Sequence, residues 1–392
     1  MRSKLAAALL AVLVACGGPA KPVETPEQQQ AKKAAETKST LDQARASVKS
    51  GDTDAADKQY AQIYEADPKY PILDEYVHFL LSAGRVTKAQ DVAHKYYDTT
   101  GATDPKAYNL YAETLLVGNR GQEALEVSAE LLKLNGDDPG AHEKRGRALL
   151  LLDRNEEGLD ELRKATQLDG NNAKFHMSLG IAYQKVNDPN KAALEFRSAV
   201  KAAPDDPEAM VLLGAALRDQ GEADEARGYL DKAIEADPHS GHAYFELGVL
   251  YYRAGKQKEA EDNFNRATKY SANESRYWYT LGELYRGQDR VDEATVAYRK
   301  AVDLDPPYPK AIGKLGAMYV KNHKYDEAEP ILIQAIRRDD KNAQNYLNLA
   351  DAYVGQHKDR LAAQNYEQYL RNAAKDDPDR ERAKQQLSHL KR

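Results

Sequence analysis

Apolar residues in this chain recur at helical spacing, and the helical stretches come in pairs that repeat every 34 residues. Between His242 and Ala254, for instance, Tyr244, Leu247, Gly248 and Tyr251 stand at i, i+3, i+4 and i+7, which lines them along one side of a helix. Phe245, Val249 and Tyr252 form a second apolar stripe on the same segment. Five glycines, Gly180, Gly214, Gly248, Gly282 and Gly316, sit 34 residues apart, and each is followed twelve residues later by an alanine: Ala192, Ala226, Ala260, Ala294 and Ala328. A fixed period in this range marks an array in which each supersecondary unit buries its apolar face only against its neighbours. The pattern predicts an all-α solenoid of antiparallel helical hairpins.

Numbered from Trp278 as the fourth residue of its unit, ten units begin near Thr37, Tyr70, Pro105, Pro139, Ala173, Pro207, Gly241, Ser275, Pro309 and Ala343. The eighth residue is glycine or alanine in every unit except the second, which has Val77, and the twentieth is alanine or glycine throughout. Small residues there allow two helices to cross closely. Glycine inside a helix costs about 1 kcal/mol relative to alanine, so its recurrence needs such a packing reason. Between the helices, Gln220-Gly221 and Ala254-Gly255 are turn signals, and Asp188-Pro189 reads as an N-cap followed by proline in the first helical position. Prolines 68, 204, 238 and 306 close their units, whereas Pro330 falls inside a second helix, where a kink is expected.

The run Trp278, Leu281, Gly282, Tyr285, Ala294, Tyr298, Ala301 and Pro306 reproduces the tetratricopeptide pattern W-x₂-L-G-x₂-Y…A-x₃-F…P, with tyrosine in place of phenylalanine. The chain therefore resembles the tetratricopeptide repeat (TPR) family over residues 37–376, with the first two units degenerate. The resemblance implies a right-handed superhelix of about ten units. Residues 377–392 read as a terminal helix, with Leu387 and Leu390 placed to cover the last unit.

The first fifteen residues carry a different message. Arg2 and Lys4 precede an apolar run from Leu5 to Val14, half of what a spanning helix needs, so the segment reads as a secretion signal. It ends in Leu13-Val14-Ala15-Cys16, which resembles the lipobox of bacterial lipoproteins, and Cys16 is the sole cysteine. That resemblance implies cleavage before Cys16 and a lipid anchor on it. Gly17 and Gly18 lack the aspartate linked to inner-membrane retention in that family, which implies the outer membrane, with the body facing the periplasm. Residues 16–36, with Pro19, Pro22, Pro26 and a run of three glutamines, are expected to form a flexible tether reaching on the order of 25 Å.

Composition narrows the function. Of 30 tyrosines and phenylalanines, 25 are tyrosine, which suits a thin body whose buried rings keep a hydroxyl near the edge. The formal net charge of -6 becomes about -8 once Arg2 and Lys4 are removed with the leader, and no basic stripe is visible, which argues against nucleic acid. No H-E-x-x-H, P-loop or G-x-S-x-G motif occurs, and the chain reads as non-enzymatic, with no cofactor. His239 and His242 at i, i+3 have no third ligand in view, so no metal site is assigned. Acidic pairs such as Asp137-Asp138 and Asp205-Asp206 read as helix caps.

Binding is the remaining use. The hairpin pattern assigns Tyr244, Leu247, Gly248 and Tyr251 to the helix crossing, so Phe245, Val249 and Tyr252 should line the concave wall of the solenoid, with Tyr279 continuing it. Arg253, Arg276 and Arg286 border those rings, and aromatic residues with arginine are the usual makings of an interaction hot spot. The alternative is that the rings only pack between neighbouring first helices. Some TPR proteins clamp the carboxylate end of chaperone tails with lysine at the fifth position and asparagine at the ninth. Here those places hold Val211 and Ala215, Phe245 and Val249, or Tyr279 and Glu283, so that clamp is missing. The expected role is a scaffold that binds protein partners while Cys16 holds it at the membrane. Resemblance to outer-membrane lipoproteins of this plan implies a pilotin-like task in pilus or secretion assembly. Recruitment of peptidoglycan enzymes, or glycan binding in polysaccharide export, are the rivals.

Overall fold

The computed structural model describes residues 25–66, 72–100, 104–304 and 308–391. Within them lie 21 α-helices and no strand. The leader and Cys16 fall outside the described residues, as do Pro68 and Pro306. The chain divides into two units, residues 1–168 and 169–392.

The first unit contains α1 (Pro26–Ser50), α2 (Thr53–Ala66), α3 (Leu73–Ser82), α4 (Val86–Thr100), α5 (Pro105–Val117), α6 (Gly121–Leu134), α7 (Pro139–Leu151) and α8 (Asn155–Leu168). The second contains α9 (Ala173–Lys185), α10 (Pro189–Ala202), α11 (Pro207–Gln220), α12 (Ala223–Ala236), α13 (Gly241–Arg253), α14 (Gln257–Tyr270), α15 (Ser275–Gly287) and α16 (Val291–Asp303), followed by α17 (Pro309–Lys321), α18 (Tyr325–Arg338), α19 (Ala343–Gly355), α20 (Asp359–Asn372) and α21 (Arg380–Leu390). Ten helix pairs and one terminal helix result. From α5 onward every first helix begins on the residue where the repeat frame starts.

Local chemistry sets those starts. Asp104, Asp138, Asn172, Asp206 and Ser240 each accept a backbone N–H of the first turn of the helix they precede, satisfying donors that have no partner inside the helix. The turn inside each hairpin is equally regular. The fifteenth residue of all ten units has a positive φ: glycine at 51, 84, 221 and 255, and Asn119, Asp153, Asn187, Asp289, His323 and His357 in the others. Glycine enters this region freely, and short polar side chains are the residues that best tolerate it.

The helices cross where the small residues stand. A Cβ added at Gly248 would lie 2.7 Å from the ring of Phe264, and one at Gly282 2.8 Å from the ring of Tyr298. Ala260 and Ala294, at the twentieth position, are fully buried beside them. The second unit's core collects Phe264, Leu281, Tyr298, Leu315, Leu332, Leu347 and Tyr366, and α21 adds Ala383 with Leu387 and Leu390 against it.

One expectation is corrected. Residues 26–36, expected to be tether, form the first half of α1: Thr25 and Gln28 make a reciprocal capping box and Pro26 occupies the first turn. The Gln, Lys, Ala and Glu residues that follow favour helix, an effect the nearby prolines hid. Pro330 falls inside α18, as expected.

Candidate functional site

On α11, α13 and α15 the first helices carry a knot of charged side chains centred on Glu246, which is buried although its neighbours in sequence are apolar. Arg218 of α11 donates to one carboxylate oxygen of Glu246. The Arg276 guanidinium of α15 lies 3.5 Å from the other, and His242, one turn earlier on α13, lies 3.6 Å away. Around this pair the contacts continue outward. Arg218 and Arg253 both reach Asp219, at 3.0 and 2.9 Å, and His242 faces Glu208 at 3.1 Å. Burial lowers the Arg218 pKa from its ordinary value, Asp219 opposes that, and the nearby Arg253 and Arg276 add to the lowering. A buried acid beside that guanidinium compensates a charge that would otherwise be costly to desolvate.

A second knot sits on α15 to α17 around Glu283. Its carboxylate accepts from Arg286 at 2.8 Å and from the Tyr298 hydroxyl, with Lys314 at 4.0 Å. Burial pushes the Glu283 pKa up, but the hydrogen bonds from Arg286 and Tyr298 outweigh it and leave the group below its ordinary value of 4.5.

The residues expected to form one wall are thus divided between two clusters. Phe245 is not available on the surface: it is 5% exposed, stacks on Tyr277 with ring centroids 4.3 Å apart, and has the Arg276 guanidinium 4.5 Å above its ring. The reason is its position, since the fifth residue of one unit points at the third residue of the next, and here that residue is aromatic. Val249 is partly buried against the same core. Tyr279 is also half-buried, against Tyr308 at 4.7 Å and Tyr298 at 5.8 Å. Tyr252 alone among the expected rings is open, at 51% exposure. Arg253, Arg276 and Arg286 are present at the surface, but each already holds an acid, Arg253 and Arg276 one from the preceding repeat and Arg286 one from its own. Arginines 218, 253 and 276 therefore meet two carboxylates, Asp219 and Glu246, while Glu208 faces His242, and the surface is a set of exchangeable ion pairs rather than a basic edge.

Sequence reading missed Glu246, Arg218 and Tyr277. A signal existed in the run Tyr244-Phe245-Glu246-Leu247-Gly248, where an acid stands among core positions. Such a residue needs a cation from a neighbouring helix.

The first unit holds a comparable device on α5 and α7. Glu143 has no exposed surface; Lys144 lies 2.5 Å from it and 2.9 Å from Glu113, and Arg147 lies 3.1 Å from Glu143 and 2.9 Å from Glu113. Two acids and two bases close the set. Among the described residues no three His, Cys, Asp or Glu side chains converge as metal ligands, and no helix is long and apolar enough to cross a membrane.

Residues 170–391, more than half of the chain, match the family model described as the cilia and flagella-associated protein 70 C-terminal domain, which is a TPR model. No curated protein matches the sequence. Among solved structures, the chain is similar to the APC/C hetero-tetramer Cut9-Hcn1, at 14% identity and a TM-score of 0.56 over 86% of this chain. It spans 58% of the length of that protein. It is also similar to the human IFIT1 dimer with PPP-AAAA, at 16% identity and a TM-score of 0.50, over 84% of this chain and 89% of that one. At these identities the likeness concerns the fold.

Proposed function

The chain belongs to the family of the cilia and flagella-associated protein 70 C-terminal domain, and from that premise we propose that it is a non-enzymatic scaffold that binds protein partners along its first helices. The observation that carries the reading is the surface of α11, α13 and α15. There an open Tyr252 ring stands beside ion pairs that a partner can exchange for its own. An exposed aromatic with arginine next to it supplies contact area and directional charge together. Cut9 is seen in complex with another protein in the similar structure, which accords with the reading. Paired arginines make the surface selective: a partner must bring acids for Arg253 and Arg276 or bases for Asp219 and Glu246, or leave those groups unpaired.

The finer role carries forward from the sequence as part of the same proposal. Cys16 bears a lipid, the body faces the periplasm from the outer membrane, and the scaffold serves envelope assembly in a pilotin-like way. One experiment addresses both levels. A photo-crosslinking residue placed at Tyr252 should give discrete adducts with other proteins in cells, whereas the same residue at Val296, exposed on the second helix α16, should give none. Equal adducts from both places, or none from Tyr252, would remove the surface from the proposal. In the same cells Cys16→Ser should move the protein from the membrane fraction to the soluble fraction; retention would remove the anchor.

A further inference from the structure

Where the first turns of α17 and α19 meet the last turn of α18, the second unit has a recess of about 200 Å³. Its origin lies in the side-chain pair that joins successive units. The fifth residue of one unit faces the third residue of the next, and in α13 and α15 that pair is Phe245 stacked on Tyr277. Two units further on, the pair is Gly313 and Asn345. A Cβ at Gly313 would lie 2.4 Å from the Asn345 Oδ1 atom, so the carboxamide rests directly on the bare glycine where the earlier junction holds two stacked rings.

Three features give that space a chemistry. Asn345 is 6% exposed and lines the recess, and among the described residues its carboxamide has no hydrogen-bond partner. Lys310 and Arg338 line the same space, and among the described residues neither forms an ion pair, whereas Arg253, Arg276 and Arg286 are each held by an acid. Asp339 is the one acid in the lining, so the recess has one cation in excess. Asn342, also in the lining, caps no N–H with its side chain.

We propose that this recess binds a single carboxylate presented by a peptide, with Arg338 and Lys310 pairing its charge and Asn345 donating to an oxygen. Guanidinium and carboxamide donors match the two oxygens of a carboxylate. The carboxylate comes from an acidic side chain or from a peptide's C-terminus. The site lies at helix ends and uses neither the fifth-position lysine nor the ninth-position asparagine of the chaperone-tail clamp. It rests on the reading of the chain as a scaffold for protein partners but on other helices than the Tyr252 surface, so each can fail alone.

The test uses the full chain and three fluorescein-labelled Gly/Ser peptides of equal length, followed by anisotropy. One carries internal glutamates and an amidated end, one has no acid but a free C-terminus, and one has glutamines and an amidated end. At least one acidic peptide should bind tenfold or more tighter than the neutral one, and which one identifies the source of the carboxylate. Gly313→Val with Asn345→Ala copies the Val211 and Ala243 pair of an earlier unit and fills the recess; it should abolish the preference. Lys310→Ala with Arg338→Ala alters only exposed side chains and should abolish it too, with the melting temperature unchanged. Tyr252→Ala should leave it intact. Equal binding of all three peptides, no binding at all, or a preference that survives both double variants would overturn the proposal.

Discussion

Replacing Gly248 by alanine tests whether close helix approach is the reason for the 34-residue ladder. Two effects oppose each other. Alanine in place of glycine favours a helix by about 1 kcal/mol. Against that, the new methyl would stand 2.7 Å from both Cδ1 and Cε1 of Phe264, where carbon atoms prefer roughly 3.5–4.0 Å. The ring has to retreat by about 1 Å. It is 1% exposed and packs against Phe245 with centroids 5.7 Å apart, so there is nowhere free to go. Overfilling of this kind costs about 1–3 kcal/mol, so the net effect is a loss of about 0–2 kcal/mol. Gly228 on α12 supplies the control, because nothing lies within 4 Å of a Cβ there and the propensity gain of about 1 kcal/mol stands alone. The two variants should therefore straddle the parent protein in urea unfolding followed by far-ultraviolet circular dichroism, with Gly228→Ala the more stable. If Gly248→Ala raises the midpoint as much as Gly228→Ala does, the small residues are not there for the crossing.

Two further outcomes follow from buried charge. Glu143→Gln leaves Lys144 and Arg147 with Glu113 alone inside the first unit, and removing one member of a buried set costs about 3–5 kcal/mol; a change in thermal melting of under a degree would show that the set is solvated. The Glu283 knot adds an acid-side dependence. Because its folded pKa lies below the ordinary 4.5, the stabilisation is complete above about pH 4.5 and fades as pH falls through the folded value, so melting temperature should drop more steeply below pH 4.5 in the parent than in Glu283→Gln.

Much of the fold is readable in the chain because a repeat states its rule many times. The eighth and twentieth positions announce the crossing, and the starts of α5, α7, α9 and each later first helix coincide with the frame. The hairpin turn was only partly legible. Gly221 and Gly255 advertise a left-handed residue, but Asn119, Asp153, Asn187, Asp289, His323 and His357 do the same work without looking like glycine. Only their shared place in the frame reveals them. The site was less legible still. An amphipathic pattern tells which residues leave the helix on the crossing side, yet Phe245 and Tyr252 share a stripe while one is 5% and the other 51% exposed. What separates them is the residue on the next unit, Tyr277 opposite Phe245, and that pairing is between segments rather than within one.

The same pairing explains how a scaffold of this kind gains specificity without losing its shape. Where position eight is glycine it is held by steric need, since a Cβ at Gly282 or Gly316 meets a buried side chain at 2.8 or 2.5 Å, and the alanine at position twenty is fully buried beside it. Position five of one unit and position three of the next are held only by the requirement that together they fill a space. Phe245 with Tyr277 fills it completely, and the surface over them is then made by what remains outside, Tyr252 and the paired arginines. Gly313 with Asn345 fills it with a carboxamide instead of rings, and a recess lined by that amide, Lys310 and Arg338 lies beside it. On the proposal made above, one exchange of side chains between two units would convert a packed junction into a receptor, and the hairpins on either side keep their crossing because their own small residues are untouched.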